Sequence, residues 1–223
     1  MTDKVEQLGG LIGAADRITA FTGAGISAES GISTYRGDDG GQGPRPSQNI
    51  AVTAGEPESG AEVCSSPDSY SSGLWQKYDP NFYANIDFFL KDPTYYWDFF
   101  REVRYPLLVD ALPNKAHQAL VRLEKGGKLS TVITQNIDGL HQEAGSNRVI
   151  ELHGNTRRIY CMSCGIDYSI EAVFEIVKKE NPPPCTSCGG MLRPAVVFFG
   201  EQLPPGALDE AMEEARACDL MLG

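Results

Sequence analysis

The stretch "RITAFTGAGIS", residues 17–27, decides the fold class of this chain. Residues 18–21 suit a buried strand, Gly23 and Gly25 predict a tight turn after it, and a helix or loop begins near Ser27. A strand that passes through a glycine-rich turn is typical of α/β sheets. In such sheets the turn lies at the carboxyl edge, where backbone N–H groups can hold a phosphate group.

The glycine pattern alone leaves the role of this turn open. "GAGISAESG", residues 23–31, lacks the third glycine of the usual dinucleotide-binding pattern. No acidic residue ends a second predicted strand at the expected distance. A structural turn and a nucleotide site are therefore equally well supported by these residues alone.

The rest of the chain alternates between helical and strand patterns. Apolar spacing predicts helices at residues 5–15, 113–125 and 206–218, with Asn114 as the cap of the second. Apolar runs predict strands at residues 129–133, 148–154 and 195–201, and a last one within 219–223. This alternation predicts a Rossmann-like parallel sheet with helices on both faces.

The composition limits the classes of partner. The chain has 223 residues and a net charge of −11, so a nucleic-acid partner is not expected, because phosphate binding needs a basic surface. No run approaches the roughly 20 apolar residues of a membrane span. The first ten residues lack the apolar segment of a signal peptide. We expect a cytoplasmic protein with no membrane partner.

Four of the six cysteines form two C-x-x-C pairs separated by twenty residues. In a reducing compartment this spacing favours a metal over disulfides, and four thiolates favour tetrahedral zinc in a closed, structural site. Free thiols and a redox pair are the alternatives, while Cys64 and Cys218 are expected to be plain thiols. The predicted ligands are Cys161, Cys164, Cys185 and Cys188.

Two segments interrupt the α/β pattern. Residues 157–189 form the predicted zinc-binding module, a small zinc ribbon. Residues 41–73 are a predicted flexible insertion, because 16 of these 33 residues are Gly, Pro or Ser and no apolar periodicity is present. The predicted Rossmann-like domain is therefore discontinuous and comprises residues 1–40, 74–156 and 190–223.

Polar residues end two of the predicted strands. In "TQNIDGLH", residues 134–141, two amides and a carboxylate follow a buried strand. His153 ends another predicted strand, where α/β sheets face their ligand crevice. Catalytic and structural roles remain equally open for it on this evidence. For His117, in a helical pattern, and His141, in a predicted loop, satisfied hydrogen bonding is the simpler expectation.

Five motifs together resemble the sirtuins, the NAD-dependent protein lysine deacylases. They are "GAGISAESGISTYRG" (residues 23–37), "TQNIDGLH" (134–141), "ELHG" (151–154), the paired C-x-x-C, and "RPAVVFFGE" (193–201). The resemblance covers residues 18–223 except the insertion. The family continues beyond "DLMLG" into a further NAD-binding turn and more sheet, so we expect a C-terminally truncated chain with weakened NAD binding.

The resemblance implies roles for individual residues. His153 would be the general base, and Asn136 and Asp138 would orient the nicotinamide group. An acyl-lysine tunnel would be lined by Val197, Phe199 and Gly200. The implied NAD-binding residues are Gly23, Ala24, Gly25, Ala28, Tyr35, Arg36, Gln135, Asn136, Ile137 and Asp138.

The resemblance also implies an activity. The chain would deacetylate lysine in protein or peptide substrates, transfer the acetyl group to ADP-ribose and release nicotinamide, with NAD as co-substrate and one structural zinc ion. Mono-ADP-ribosyl transfer shares the first bond cleavage and is the runner-up. An inactive NAD- or peptide-binding fragment is a second alternative. A zinc-ribbon nucleic-acid binder is a third, with "RRIYC", residues 157–161, as its only basic support.

Overall fold

The computed structural model describes residues 2–32 and 78–223. The predicted insertion at 41–73 lies outside the described residues, as do Tyr35, Arg36 and Cys64. The predicted domain boundaries stay a prediction.

A four-stranded parallel sheet forms the first lobe, in the order β3-β2-β1-β7. Thr22 pairs with Thr134, and Thr134 pairs with Glu151, so the last residues of three neighbouring strands stand side by side. The carboxyl ends of these strands therefore share one edge of the sheet. The strands are β1 (Ile18–Thr22), β2 (Leu129–Thr134), β3 (Val149–Glu151) and β7 (Leu220–Leu222).

Helices cover both faces of this sheet, as the sequence predicts. On one face, Ile12 and Leu120 pack against Ile18 and Ala20 of β1. On the other face, Ala211 packs against Ile133 and Ile150. The helices that contribute these residues are α1 (Thr2–Ala14), α6 (Lys115–Lys125) and α9 (Ala207–Ala217). The predicted Rossmann-like class is confirmed.

A second lobe carries the cysteine pairs and is built around a three-stranded antiparallel sheet, in the order β5-β4-β6. Its core also contains aromatic residues from a run of short helices, among them Trp97 and Phe100, packed with Ile159 and Leu192. The strands are β4 (Gly154–Cys161), β5 (Asp167–Ser169) and β6 (Leu192–Val196). The short helices are α2 (Pro80–Tyr83), α3 (Ile86–Lys91), α4 (Thr94–Phe99) and α5 (Tyr105–Asp110), with a π-helix at Phe100–Arg104 between the last two.

Three remaining elements connect the lobes or complete the loops between strands. A 3₁₀ helix follows β1 at Ala24–Ser30. A short helix, α7 (Leu140–Ala144), follows β2, so the prediction of a loop at His141 is wrong. The helix α8 (Ile170–Val177) follows β5.

Among the described residues, no helix is long and apolar enough to cross a membrane.

The predicted strand at residues 195–201 is the main error in the predicted topology. Only the first two residues of this run, Ala195 and Val196, lie in a strand, and that strand is β6 (Leu192–Val196) of the antiparallel sheet. Phe199 makes only an isolated bridge to Asn85. Val196 and Phe198 both lie in the core of the second lobe. An apolar run indicates burial but does not identify the partner strand, which explains the error.

Gly154 joins β3 to β4 at a point where no other residue fits. Its φ is +77°, and an added Cβ would lie 2.0 Å from the Ala195 carbonyl oxygen. We expect Gly154→Ala to lower the free energy of unfolding by more than the roughly 1–2 kcal/mol of a left-handed alanine alone. Gly127→Ala is the matched control, because Gly127 has φ +73° and nothing within 4 Å. Equal losses in urea titrations of the two variants would contradict the clash.

Candidate active site

Three loops converge where β1, β2 and β3 end. The N–H of Gln135 donates to the Thr22 carbonyl at 3.0 Å, and the N–H of Leu152 donates to the Thr134 carbonyl at 2.9 Å. These bonds extend the pairing of the strands by one residue each. The segments that follow are therefore held together at one edge of the sheet.

A buried polar triad lies between the first two loops. Ser27 Oγ donates to Asp138 Oδ2 at 2.7 Å and accepts from Asn136 Nδ2 at 3.0 Å. Asp138 Oδ1 accepts from the N–H of Leu140 at 2.9 Å, at the start of α7. Asn136 is 9% exposed and Asp138 is 5% exposed, so both side chains are held in place rather than solvated.

Ser27 is a site residue that sequence reasoning missed. It is fully buried, although it lies in a glycine-rich stretch that reads as a surface turn. The sequence offers one indication, a serine hydroxyl just after the glycine turn. Serine is so common in such turns that this position alone does not predict a site residue. Its partner Asp138 is 111 residues away, so the contact depends on the pairing of β1 with β2.

His153 is held by its Nδ1 atom at the end of the third loop. Nδ1 lies 2.9 Å from the Gln135 carbonyl oxygen. A carbonyl can only accept, so Nδ1 carries the hydrogen and Nε2 is left as the basic nitrogen. The ring is half-buried. This is the arrangement that a neutral general base requires.

The predicted acyl-lysine residues lie next to this histidine. The N–H of Val197 donates to the His153 carbonyl at 2.9 Å. Phe199 is 42% exposed, and its backbone pairs with Ala84, just before α3, and with Ile86, the first residue of α3. Gly200 follows with φ +90°. The segment therefore stands between His153 and the helices of the second lobe.

The ends of the "RPAVVFFGE" motif close on each other. Arg193 forms an ion pair with Glu201, and both side chains are largely buried. Glu201 Oε2 also accepts from the N–H of Phe198 at 2.8 Å. This pairing links the two ends of the segment that carries the exposed residues Phe199 and Gly200.

Arg157 supports the second loop from the second lobe. Its Nε donates to the Asp138 carbonyl at 2.7 Å, and its Nη2 lies 2.9 Å from Glu143 Oε2. Arg158 pairs with Asp167 at 3.1 Å. The two arginines of "RRIYC" are therefore already paired within the protein. Each arginine of this short basic stretch thus has an acidic partner, which adds to the net charge of −11 in weighing against the nucleic-acid alternative.

The predicted NAD-binding residues of the first loop lie at the start of the 3₁₀ helix. An added Cβ on Gly23 or Gly25 would meet nothing within 4 Å, so open space faces the backbone there. Ala24 and Ala28 lie on the same helix. Ile137, from the second loop, is half-buried, and its carbonyl accepts from the N–H of Thr156 at 2.9 Å.

The four predicted zinc ligands come together in the second lobe. Their sulfur atoms all lie within 4.8 Å of one another. Cys161 Sγ is 3.6 Å from Cys188 Sγ, and Cys164 Sγ is 3.7 Å from Cys185 Sγ. A tetrahedron with zinc–sulfur bonds of about 2.3 Å has edges of about 3.8 Å, so the sulfur atoms fit this metal.

Comparisons with known proteins agree with this geometry. The Sir2 family model matches residues 60–223. The chain is 42% identical over 217 residues to the NAD-dependent protein deacetylase of Sulfurisphaera tokodaii, which covers 97% of this chain and 72% of that protein. The chain belongs to the Sir2 family. It is also 38% identical over 223 residues to NAD-dependent protein deacylase 2 of Archaeoglobus fulgidus, covering 100% of this chain and 74% of that one.

Solved Sir2 structures share the fold of this family member. A Sir2 complex with deacetylated p53 peptide and 3'-O-acetyl ADP-ribose matches with a TM-score of 0.77 at 35% identity, covering 97% of this chain and 74% of that one. A Sir2 complex with p53 peptide and NAD+ matches with a TM-score of 0.73 at 35% identity, covering 97% and 73%. The family predicted from the motifs is confirmed.

Two further histidines of this Sir2-family chain are buried beneath the site. Burial lowers the pKa of His141 to about 4, with a further lowering by His117 and an opposing effect of Asp138. Burial also lowers the pKa of His117. Both rings are therefore neutral at pH 7. The expectation of satisfied hydrogen bonding is only half met, because each ring has one nitrogen without a partner among the described residues.

The lowered pKa of His141 predicts an acid-sensitive fold. Between about pH 6.5 and the folded pKa of about 4, the unfolded state binds a proton that the folded state does not. Stability should therefore fall with acidification, by about 2 kcal/mol between about pH 7 and about pH 5. Urea unfolding of the wild type and of His141→Phe at several pH values measures this effect as a difference. Both proteins contain the same cysteines, so the contribution of the thiols to the pH dependence cancels. Equal pH slopes in the two proteins would refute it.

Proposed function

We propose that this chain is an NAD-dependent protein lysine deacetylase that transfers the acetyl group of an acetylated lysine to ADP-ribose and releases nicotinamide. The observation that carries the proposal is His153, whose Nδ1–H is held by the Gln135 carbonyl beside the buried Asn136–Ser27–Asp138 triad. Membership of the Sir2 family supports it, as do relatives named NAD-dependent protein deacetylase. We further propose that the protein acts in the cytoplasm.

The residues of the first and second loops fit the two ends of NAD. Gly23, Ala24 and Gly25 would approach the pyrophosphate with bare backbone, because the space beside both glycines is open. Ala28 would line the same cleft. Tyr35 and Arg36, which lie outside the described residues, would also contact the cofactor. NAD, when bound, supplies the ribosyl carbon that is attacked and the nicotinamide that leaves.

The second loop supplies the polar groups for nicotinamide and its ribose. Gln135 is exposed and would bind the ribose hydroxyls, with Ile137 packing below the ring. Asn136 and Asp138 would orient the carboxamide, which needs both donors and acceptors. Because Ser27 and Leu140 already fix the Asp138 carboxylate, its charge is preorganised for the positive charge that develops at the ribose.

His153 would act as the general base. Its Nε2 would remove a proton from a ribose hydroxyl, and the hydrogen bond from Nδ1 to the Gln135 carbonyl would leave Nε2 without a hydrogen, ready to accept that proton. Val197, Phe199 and Gly200 would line the path of the acetylated lysine to this point. A peptide added along this segment would bind largely through main-chain groups, which tolerates many sequences.

One structural zinc ion would be held by Cys161, Cys164, Cys185 and Cys188. Four thiolates fill a tetrahedral shell and leave no open position for water, so the metal would stabilise the second lobe and take no part in the reaction.

Incubation with an acetylated peptide and NAD, followed by mass spectrometry, tests the proposed activity. Deacetylated peptide, nicotinamide and O-acetyl-ADP-ribose should appear in equal amounts. An ADP-ribosylated peptide without deacetylation would instead identify an ADP-ribosyltransferase. Binding of NAD and peptide with no product would identify an inactive binding module.

Asn114 ties the NAD-binding 3₁₀ helix to α6 and provides a further test. Its Oδ1 caps α6 by accepting from the N–H groups of Ala116 and His117, while its Nδ2 donates to the Ile26 carbonyl at 2.6 Å and to Ser30 Oγ at 3.0 Å. Asn114→Asp keeps the cap but loses the tether to the Ile26 carbonyl, because a carboxylate has no hydrogen to donate, while the Ser30 hydroxyl can still donate to it. We expect the KM for NAD to rise about tenfold.

Steady-state kinetics with NAD as the varied substrate measure this effect, and circular dichroism confirms that α6 is intact. Ser30→Ala removes only the weaker tether and keeps the bond to the Ile26 carbonyl, so it should give a smaller rise. An unchanged KM in Asn114→Asp would show that the tether does not position the NAD-binding loop.

A further inference from the structure

Two buried histidines lie beneath the candidate site, and His141 is linked to it through Thr22 and Thr134. His117 is 0% exposed and His141 is 1% exposed. Their ring centroids are 4.9 Å apart, with the planes inclined at 61°. Each ring has one nitrogen without a partner among the described residues, Nε2 in His117 and Nδ1 in His141. A buried polar atom without a partner is costly, so this coincidence requires an explanation.

The neighbours of each ring identify which nitrogen carries the hydrogen. The backbone N–H of Asn114 points at Nδ1 of His117 at 3.3 Å, and an N–H can only donate. Nδ1 of the neutral His117 ring is therefore an acceptor, and the hydrogen is on Nε2. The unpartnered nitrogen of His117 is thus a donor.

The same reasoning gives the opposite result for His141. Thr22 has a single hydroxyl hydrogen, which it donates to Thr134 Oγ1 at 2.9 Å. Thr22 Oγ1 also lies 2.9 Å from Nε2 of His141, so it accepts from Nε2–H. The unpartnered Nδ1 of His141 is therefore an acceptor.

We propose that His117 Nε2–H donates to His141 Nδ1, and that this histidine pair is a positioning device for the nicotinamide pocket. The two orphan atoms are a donor and an acceptor on adjacent rings. The separation of the centroids leaves room for a direct N–H···N hydrogen bond of about 3 Å. The two atoms are not hydrogen-bonded to each other in the structure as it stands, so the proposed bond requires the rings to turn toward each other.

The pair reaches the pocket through two threonines. Thr134 Oγ1 accepts the hydroxyl of Thr22 and also the backbone N–H of Asn136, at 3.0 Å. Asn136 in turn binds Ser27, which holds Asp138. One series of hydrogen bonds thus runs from the cap of α6 to the residues that would orient nicotinamide. The kinetic part of this inference rests on the proposed function.

Nitrogen NMR of the imidazole rings tests the pair without any activity measurement. The chain has three histidines, so the spectrum is simple, and single His→Gln variants assign it. We expect neutral rings with the hydrogen on Nε2 for the buried His117 and His141. His153 should carry a hydrogen on Nδ1, because this atom faces the Gln135 carbonyl. A scalar coupling between His117 Nε2 and His141 Nδ1 should report the hydrogen bond.

The proposal is overturned if His141 carries its hydrogen on Nδ1, if either buried ring is charged at neutral pH, or if the coupling is absent. None of these results depends on whether the protein is a deacetylase. Failure of the pair and failure of the proposed function are therefore distinguishable.

A double-mutant cycle tests the positioning role. His141→Phe keeps a ring but removes both hydrogen bonds, and Thr22→Val removes the hydroxyl at nearly constant volume. Each should lower kcat/KM for NAD about tenfold and leave the KM for the acetylated peptide unchanged. The double variant should be no worse than either single one, because one series is broken in all three.

His141→Gln supplies the control, because its amide can donate to Thr22 and accept from His117. It should recover most of the loss, whereas a purely structural defect would not respond to this exchange. Additive losses in the double variant, or no recovery with glutamine, would overturn the positioning role. Thermal melts establish that each variant is folded.

Discussion

His153→Ala should reduce deacetylation by about 10²–10⁴-fold. Nε2 of His153 is the only basic nitrogen that the three histidines of the chain offer to the cleft, since His117 and His141 are buried. Alanine removes the base but leaves the triad of Ser27, Asn136 and Asp138 intact. Product formation from acetylated peptide and NAD, followed by mass spectrometry, measures the loss.

The same variant should still bind NAD, and single-turnover nicotinamide release should persist, because the base acts after nicotinamide has left. Calorimetry and rapid quench experiments measure these two quantities. Added imidazole should restore part of the turnover by replacing the missing ring. Unchanged turnover in His153→Ala would show that another group is the base.

Cys161→Ser should remove the zinc ion and unfold the second lobe. Cys161 ends β4, is 1% exposed and belongs to the same core as Ile159, Leu192 and the aromatic residues of the short helices. Four-thiolate zinc sites provide apparent binding free energies of about 10–16 kcal/mol, which is at least as large as the roughly 5–15 kcal/mol stability of a typical domain. Loss of the metal is therefore expected to unfold the second lobe and not merely to slow turnover.

Elemental analysis of the purified protein measures the zinc, expected at one ion per chain, and near-ultraviolet circular dichroism reports the packing of the aromatic residues. Cys218→Ser is the matched control, because Cys218 lies on the other lobe, outside the cysteine cluster, and its thiol donates to the Ala215 carbonyl at 3.3 Å. It should retain zinc and structure. A folded wild-type protein without zinc would refute the metal assignment.

Features that depend on neighbours in the chain could be predicted from the sequence. The two C-x-x-C pairs specified four ligands, because each pair forms its own turn and brings two thiols together. Asn114 was predicted to cap α6, since capping needs only the next three residues. The parallel sheet was predicted from the alternation of strands and helices. The five motifs were sufficient to name the family.

Tertiary packing determines which sheet the "RPAVVFFGE" run joins. Periodicity predicted burial correctly, but whether a buried run joins the parallel or the antiparallel sheet depends on which edge is free. Here β4 provides that edge, and Arg193 and Glu201 close the segment after it. The nine residues of the motif, 193–201, contain no signal that tells the parallel sheet from the antiparallel one.

The candidate site shows most clearly which features the sequence predicts and which depend on the tertiary structure. The sequence alone identified His153, Asn136 and Asp138 as residues of interest, because polar side chains at strand ends are local signals. Only the pairing of β1 with β2 brings Ser27 to Asp138, and only the pairing of β2 with β3 brings the Gln135 carbonyl to His153. Hydrogen bonds need atoms within about 3 Å of one another, and for residues far apart in the chain that proximity exists only in the folded sheet.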